Sequence, residues 1–138
     1  MSAVNRLMTR GFLAPQVHGI LDYPLAAVLI AGPLALDFDD RAATVIALVF
    51  GGGATVLAVA TAWSTGIVKI IPPLLHGYVD VSVTLAMIVL PFAVGFSSDT
   101  TALVFYLVVG VGGLLATLAT RFESRMPAAQ PMILRDAA

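Results

Sequence analysis

Long apolar runs, interrupted by short polar stretches, dominate the hydropathy pattern of the chain. The runs cover residues 16–36, 42–63, 73–96 and 101–120. A bilayer core about 30 Å thick is crossed by a helix of about 20 apolar residues, so each run is long enough to span it. The pattern predicts an all-α fold, a bundle of four transmembrane helices.

Polar and proline residues mark where these helices begin. Asp40 precedes the second run and Asp99 precedes the fourth, and aspartate is a favoured N-cap residue. Pro15 and Pro73 stand at the start of the first and third runs. Proline suits the first helical turn because its missing N–H has no intrahelical acceptor there.

Composition supports a membrane protein and excludes several other classes. Of 138 residues, 59% are apolar and only 11% are charged, whereas a soluble domain carries about 25% charge. The net charge of −1 and the lack of a basic stripe exclude nucleic acid as a partner. The chain has no cysteine, which excludes disulfides and thiolate ligands. We find no nucleophilic triad or phosphate-binding loop, so we expect no enzymatic activity.

The loop charges predict an orientation in the membrane. Basic residues lie before the first run, between the second and third, and after the fourth: Arg6, Arg10, Lys69, Arg121, Arg125 and Arg135. The other two loops are mainly acidic. The positive-inside rule then puts both termini in the cytoplasm. Trp63, at the end of the second run, fits an aromatic anchor at the membrane interface.

The sequence matches itself when it is shifted by 58 residues. The first copy contains Pro15, His18, Gly19 and Asp22, and the second contains Pro73, His76, Gly77 and Asp80. Such self-similarity indicates a duplicated unit. We predict two parallel two-helix hairpin repeats: residues 15–63 and residues 73–120. Residues 1–14 form a cytoplasmic N-terminal segment, and residues 121–138 a cytoplasmic tail.

The chain resembles the SPW repeat family of small bacterial membrane proteins. The family places a Ser-Pro-Trp motif in the first helix of each two-helix repeat, often followed by Gly-Phe. The corresponding stretches are GPLALDF (residues 32–38) and LPFAVGF (residues 90–96), which keep the proline and phenylalanine but lack the serine and tryptophan. The resemblance covers roughly residues 13–120. It implies the two-hairpin architecture and a multi-pass protein of the bacterial inner (cell) membrane, and it implies no reaction.

The repeated His-Gly-x-x-Asp motif carries the candidate chemistry. Residues four apart share a helix face, so His18 neighbours Asp22 and His76 neighbours Asp80. If the hairpins form a bundle, the two motifs face each other across it at one depth. Gly19 and Gly77 would permit close approach of another backbone or of a ligand. An aspartate buried alone at mid-membrane costs about 2.5–3.5 kcal/mol, so a partner is expected.

Three interpretations of this cluster remain open on sequence alone. The first is a structural or interaction protein in which the two histidines and two aspartates form hydrogen bonds with one another and fix the register of the hairpins. The second is a cofactor site. His18, His76, Asp22 and Asp80 offer two nitrogens and two oxygens to a divalent metal, or the two histidines clamp a haem b. The third is proton or ion translocation by an oligomer.

Small residues line the second and fourth helices at a spacing of four. The stripes are Ala54, Ala58 and Ala62, and Gly112, Ala116 and Thr120. Such stripes let helix backbones approach closely in lipid, where apolar surface alone does not drive association. We expect the lipid bilayer as a partner, and a homo-oligomer formed through these two faces.

Overall fold

A computed structural model describes residue 6 and residues 10–122. Most of the predicted N-terminal segment, and the tail from residue 123 onward, lie outside the described residues. The described part is all-helical, with these long helices: α1 (Pro15–Ala35), α2 (Arg41–Ala60), α3 (Pro73–Leu90) and α4 (Thr100–Ala119). A π-helical turn, Pro91–Gly95, extends α3. All four are long and apolar enough to cross a membrane, so the predicted spans are confirmed to within three residues.

The predicted helix starts are also confirmed. Pro15 and Pro73 occupy the first turns of α1 and α3. Asp40 caps α2, its Oδ1 accepting from the N–H of Ala43 at 3.0 Å. Asp99 caps α4 in the same way, with Oδ1 3.0 Å from the nitrogen of Ala102. Since the other oxygen of Asp99 accepts from the N–H of Asp40 at 3.0 Å, the two helix starts are tied together.

Replacing Asp99 with alanine is expected to lower the free energy of unfolding by about 1–2 kcal/mol at neutral pH, the usual effect of losing an N-cap. Burial opposes ionisation of Asp99, but the N–H groups of Ala102 and Asp40 hold its pKa below the ordinary value. The carboxylate therefore stabilises the fold above its ordinary pKa, and this contribution disappears as the pH falls through the folded-state pKa. Unfolding in mixed micelles at neutral and acidic pH measures the difference.

The matched control for this experiment is Asp39→Ala, because Asp39 is an exposed carboxylate at the same end of the bundle, in the loop before α2. We expect it to unfold like the unsubstituted protein. A deficit in Asp99→Ala that is equally large in acid would contradict the role of the ionised cap.

The helices pack as two pairs, α1 on α2 and α3 on α4. Between the pairs, a hydrophobic core lies at the end of the bundle that carries Asp40 and Asp99. It consists of Leu29, Phe38, Ala43, Ala47, Met87, Phe96, Ala102, Phe105 and Tyr106. Tyr106 is fully buried there, and its hydroxyl donates to the carbonyl of Ala43 at 2.6 Å. This end, which we call the core end, therefore joins α2 to α4 as well as closing the bundle.

Glycine allows the close approach of helices within each pair. A β-carbon on Gly51 of α2 would lie 3.0 Å from the β-carbon of Leu29 in α1. A β-carbon on Gly110 of α4 would lie 3.1 Å from the β-carbon of Met87 in α3. By contrast, a β-carbon on Gly52 or on Gly112 would meet open space. Gly51 and Gly110 thus pack inside the pairs, whereas Gly52 and Gly112 face outward.

Candidate functional site

The fold brings both His-Gly-x-x-Asp motifs together at the end of the bundle opposite the core end. His18 and Asp22 project from the first turns of α1, and His76 and Asp80 from those of α3. One ligand atom from each residue lies within 4.8 Å of all the others. We call these four residues the His/Asp cluster. The predicted juxtaposition of the motifs is present.

Each imidazole of the cluster contacts the carboxylates of both helices. His18 Nε2 lies 2.9 Å from Asp80 Oδ2 and 3.3 Å from Asp22 Oδ1. His76 Nε2 lies 3.0 Å from Asp80 Oδ2 and 3.4 Å from Asp22 Oδ2. A single oxygen of Asp80 is thus shared by both histidines, whereas Asp22 offers one oxygen to each and holds them less closely.

Two threonines fix the orientation of the imidazoles from outside the motifs. The hydroxyl of Thr61 donates to the carbonyl of Leu57 at 2.6 Å, so its oxygen is an acceptor for His76 Nδ1 at 2.8 Å. In the same way, Thr120 donates to Ala116 at 2.7 Å and accepts from His18 Nδ1 at 3.0 Å. A neutral ring therefore has its proton on Nδ1 and presents the Nε2 lone pair to the carboxylates, whereas a protonated ring also donates from Nε2, as in the 2.9 Å hydrogen bond between His18 Nε2 and Asp80 Oδ2.

Lone pairs that face carboxylate oxygens repel each other unless a positive charge lies between them. Two atoms of the cluster, Asp22 Oδ2 and His76 Nε2, are buried without a hydrogen-bond partner among the described residues. Buried polar atoms are normally satisfied, so such a pair of acceptors requires an explanation. The arrangement can accept either protons on the imidazoles or a bound cation.

Aromatic side chains close the cluster on the side away from the bundle centre. The ring centroid of Trp63 is 4.3 Å from that of His76, and the centroid of Phe122 is 5.2 Å from that of His18. We call Trp63 and Phe122 the aromatic cover. The expectation that Trp63 is an interfacial anchor is wrong, since Trp63 is only 4% exposed and packs on an imidazole. Helix α2 ends at Ala60, which lets the chain turn Trp63 inward.

Gly19 permits a close approach, but the groups that approach it are side chains rather than the backbone or ligand that we expected. A β-carbon at this position would lie 2.9 Å from Cε2 of Trp63 and 2.6 Å from the hydroxyl oxygen of Thr65. The bare backbone of Gly19 therefore makes room for the aromatic cover. Gly77 is buried at the corresponding place in α3.

A cavity of about 390 Å³ begins at the other side of the His/Asp cluster and runs between the helices. All four cluster residues line it, and apolar side chains of α1 to α4 form most of the remaining wall. The cluster therefore lies between a closed aromatic side and an apolar cavity.

The sequence interpretation missed Thr61, Thr120 and Phe122 as parts of the site. Their signal is a repeated Thr-x-aromatic pattern, in Thr61-Ala62-Trp63 and in Thr120-Arg121-Phe122. The two copies are 59 residues apart, whereas the histidine motifs are 58 apart. A search at one fixed offset therefore does not reveal this pattern.

Comparison with known proteins gives no relative: no family model, no curated protein and no solved structure matches the chain.

Proposed function

We propose that this is a multi-pass membrane protein whose His/Asp cluster binds one divalent metal ion of the Zn²⁺, Mn²⁺ or Fe²⁺ class. The observation that carries the proposal is the convergence of two imidazole Nε2 atoms and two carboxylates, with both Nδ1 atoms directed to threonine. Metal-binding histidines commonly donate their second ring N–H to an oxygen acceptor in this way. The threonines thus supply the outer contacts that such a site needs.

Distances and charge support a metal ion at this position. A tetrahedral zinc ion with ligands at about 2.0–2.1 Å separates its ligand atoms by about 3.3 Å. The two imidazole nitrogens lie 2.9 and 3.0 Å from one oxygen of Asp80, and 3.3 and 3.4 Å from the two different oxygens of Asp22, which is close to that value. With neutral imidazoles the two carboxylates carry two negative charges, which one divalent ion balances. The ion would also satisfy Asp22 Oδ2 and His76 Nε2.

The same geometry disfavours a haem b. An iron held by both histidines would have to lie between the Nε2 atoms, but Asp80 Oδ2 is already 2.9 and 3.0 Å from them. A purely structural network with protonated imidazoles uses the same contacts, and metal analysis separates it from the metal site. Proton translocation has less support, because the aromatic cover closes one side of the cluster.

We also propose that the bundle consists of two parallel hairpin repeats, the plan of the SPW repeat family. Equivalent contacts support this proposal. Gly51 packs on α1 as Gly110 packs on α3, and Asp40 caps α2 as Asp99 caps α4. Those equivalences are 59 residues apart, one more than between α1 and α3, which indicates that the α3–α4 connection has one residue more than the α1–α2 connection.

The orientation with both termini in the bacterial cytoplasm remains part of this proposal. It rests on basic residues at the end of the bundle that carries the His/Asp cluster, such as Arg10, Lys69 and Arg121. The outward-facing Gly112 of the small-residue stripe on α4 would suit contact with a second copy.

Elemental analysis of purified protein tests the metal site. After exposure to Zn²⁺ in mild detergent and removal of free metal, we expect one zinc ion per chain. The double variant His18→Ala/His76→Ala should retain almost none, since it loses both nitrogen ligands. The variant Asp39→Ala removes a carboxylate outside the cluster and should bind zinc normally.

Equal zinc content in the protein and in the double histidine variant would overturn the metal proposal. A zinc-free protein whose thermal stability falls in that variant would instead assign the cluster a structural role. A Soret absorbance band that disappears in the variant would point to haem. Proton flux into liposomes that is lost in the variant would support translocation.

A further inference from the structure

The cavity between the helices is closed at both ends of the bundle. The core end closes one side, with fully buried Tyr106 bonded to Ala43. The His/Asp cluster and the aromatic cover close the other. The exposed fractions of Val49 and Val56, which line the cavity, are 65% and 67%. The cavity therefore opens sideways past α2, onto the surface that lipid would contact in a membrane.

Size and lining restrict what this cavity can hold. Its volume of about 390 Å³ is near the lower end of the range of about 300–1,000 Å³ for small-molecule sites. Leu25, Leu29, Val83, Met87 and Val109 contribute to an almost wholly apolar wall. A ligand that enters from lipid and packs against this wall has an apolar body of modest size.

The polar end of the cavity determines the chemistry of the ligand's head group. Asp22 is only 8% exposed, lines the cavity, and its Oδ2 accepts no hydrogen bond from the described residues. A hydroxyl group can donate to this oxygen. In the site without a metal ion, an alkane would leave the oxygen unsatisfied, and a carboxylate head would add a third negative charge beside Asp22 and Asp80.

We infer that the cavity binds a membrane-dissolved amphiphile, a neutral molecule with an apolar chain and a hydroxyl head group that donates to Asp22. The inference rests on the proposed function in one respect, since the hydroxyl oxygen would be a further ligand of the metal ion. The contact with Asp22 does not require the metal. Access is from the lipid side, because the aromatic cover closes the opposite side of the cluster.

Photolabelling tests this inference. The probe is a dodecanol that carries a diazirine in its chain, applied to zinc-loaded and to EDTA-treated protein, with the labelled residues identified by mass spectrometry. We expect labels on the cavity wall. Unlabelled 1-dodecanol should compete about tenfold better than n-dodecane of the same length, the effect of one hydrogen bond to a charged group. In the EDTA-treated protein, dodecanoate should compete less well than the alcohol.

Two neighbouring glycines provide a matched pair of variants. Gly53 lines the cavity, Gly52 does not, and a β-carbon at either position would meet open space. Gly53→Phe should fill part of the cavity and reduce labelling at least about fivefold, the loss expected when the apolar chain no longer fits. Gly52→Phe should leave labelling unchanged. Equal labelling in both variants, or equal competition by alcohol and alkane, would overturn the inference.

The same experiment separates this inference from the metal proposal. If the protein binds no zinc but its cavity is labelled and the alcohol competes better than the alkane, the amphiphile site is supported and the metal proposal is contradicted. Zinc binding without labelling of the cavity wall supports the metal and overturns the amphiphile site.

Discussion

Replacement of Asp80 with alanine is expected to lower the free energy of unfolding by about 3–5 kcal/mol, the usual cost of removing one partner from a buried ionic contact. One oxygen of Asp80 lies 2.9 Å from His18 Nε2 and 3.0 Å from His76 Nε2. Its loss separates α1 from α3 at the cluster and leaves both imidazoles with the more distant Asp22. Reversible chemical unfolding in mixed micelles, without added metal, measures the effect.

Asp22→Ala is the matched comparison within the same site. Asp22 lies 3.3 and 3.4 Å from the two histidines, so its removal should cost less than that of Asp80. Asp39→Ala again serves as the control outside the cluster. If Asp22→Ala proves as destabilising as Asp80→Ala, the shared oxygen of Asp80 is not the main link between the helices.

Replacement of Gly19 with alanine is expected to destabilise the protein by about 1–3 kcal/mol, the range for overpacking a buried contact. The added methyl group would lie 2.9 Å from Cε2 of Trp63, so the indole must move away from the cluster. Because Trp63 is the single tryptophan of the chain, its fluorescence reports this movement directly. We expect an emission shift to longer wavelength together with the lower stability.

Gly52→Ala controls for the difference in helix propensity between glycine and alanine. A β-carbon at Gly52 would meet nothing within 4 Å, so only helix propensity changes there. Alanine should then leave the stability unchanged or raise it by up to about 1 kcal/mol. A Gly19→Ala variant with unchanged tryptophan emission would show that Trp63 does not depend on the bare backbone of Gly19.

The four helices and their starts could be predicted because the signals are local. An apolar run about 20 residues long between polar stretches has few other structures available to it. Asp40 and Asp99 each stand three residues before the N–H that they cap, so sequence alone reveals their role. The spacing of His18 and Asp22, and of His76 and Asp80, likewise predicted neighbouring side chains on a helix.

The surroundings of the cluster depend on contacts between distant parts of the chain. Thr120 reaches His18 across 102 residues, and no local pattern indicates such a pairing. The position of Trp63 depends on where α2 ends and how the following loop turns. Since the apolar run continues to residue 63 while the helix ends at Ala60, hydropathy alone placed Trp63 at the helix surface.

The long-range contacts of His18 have a consequence for the order in which the molecule forms. Both of its closest side-chain partners, Asp80 and Thr120, are synthesised after it. In a membrane, the first hairpin would therefore insert with His18 lacking Asp80 and Thr120, and with Asp22 lacking His76, until α3 and α4 arrive. These unsatisfied polar groups raise the free energy of the first hairpin in the membrane. Insertion of α3 and α4 then stabilises the helices that are already inserted.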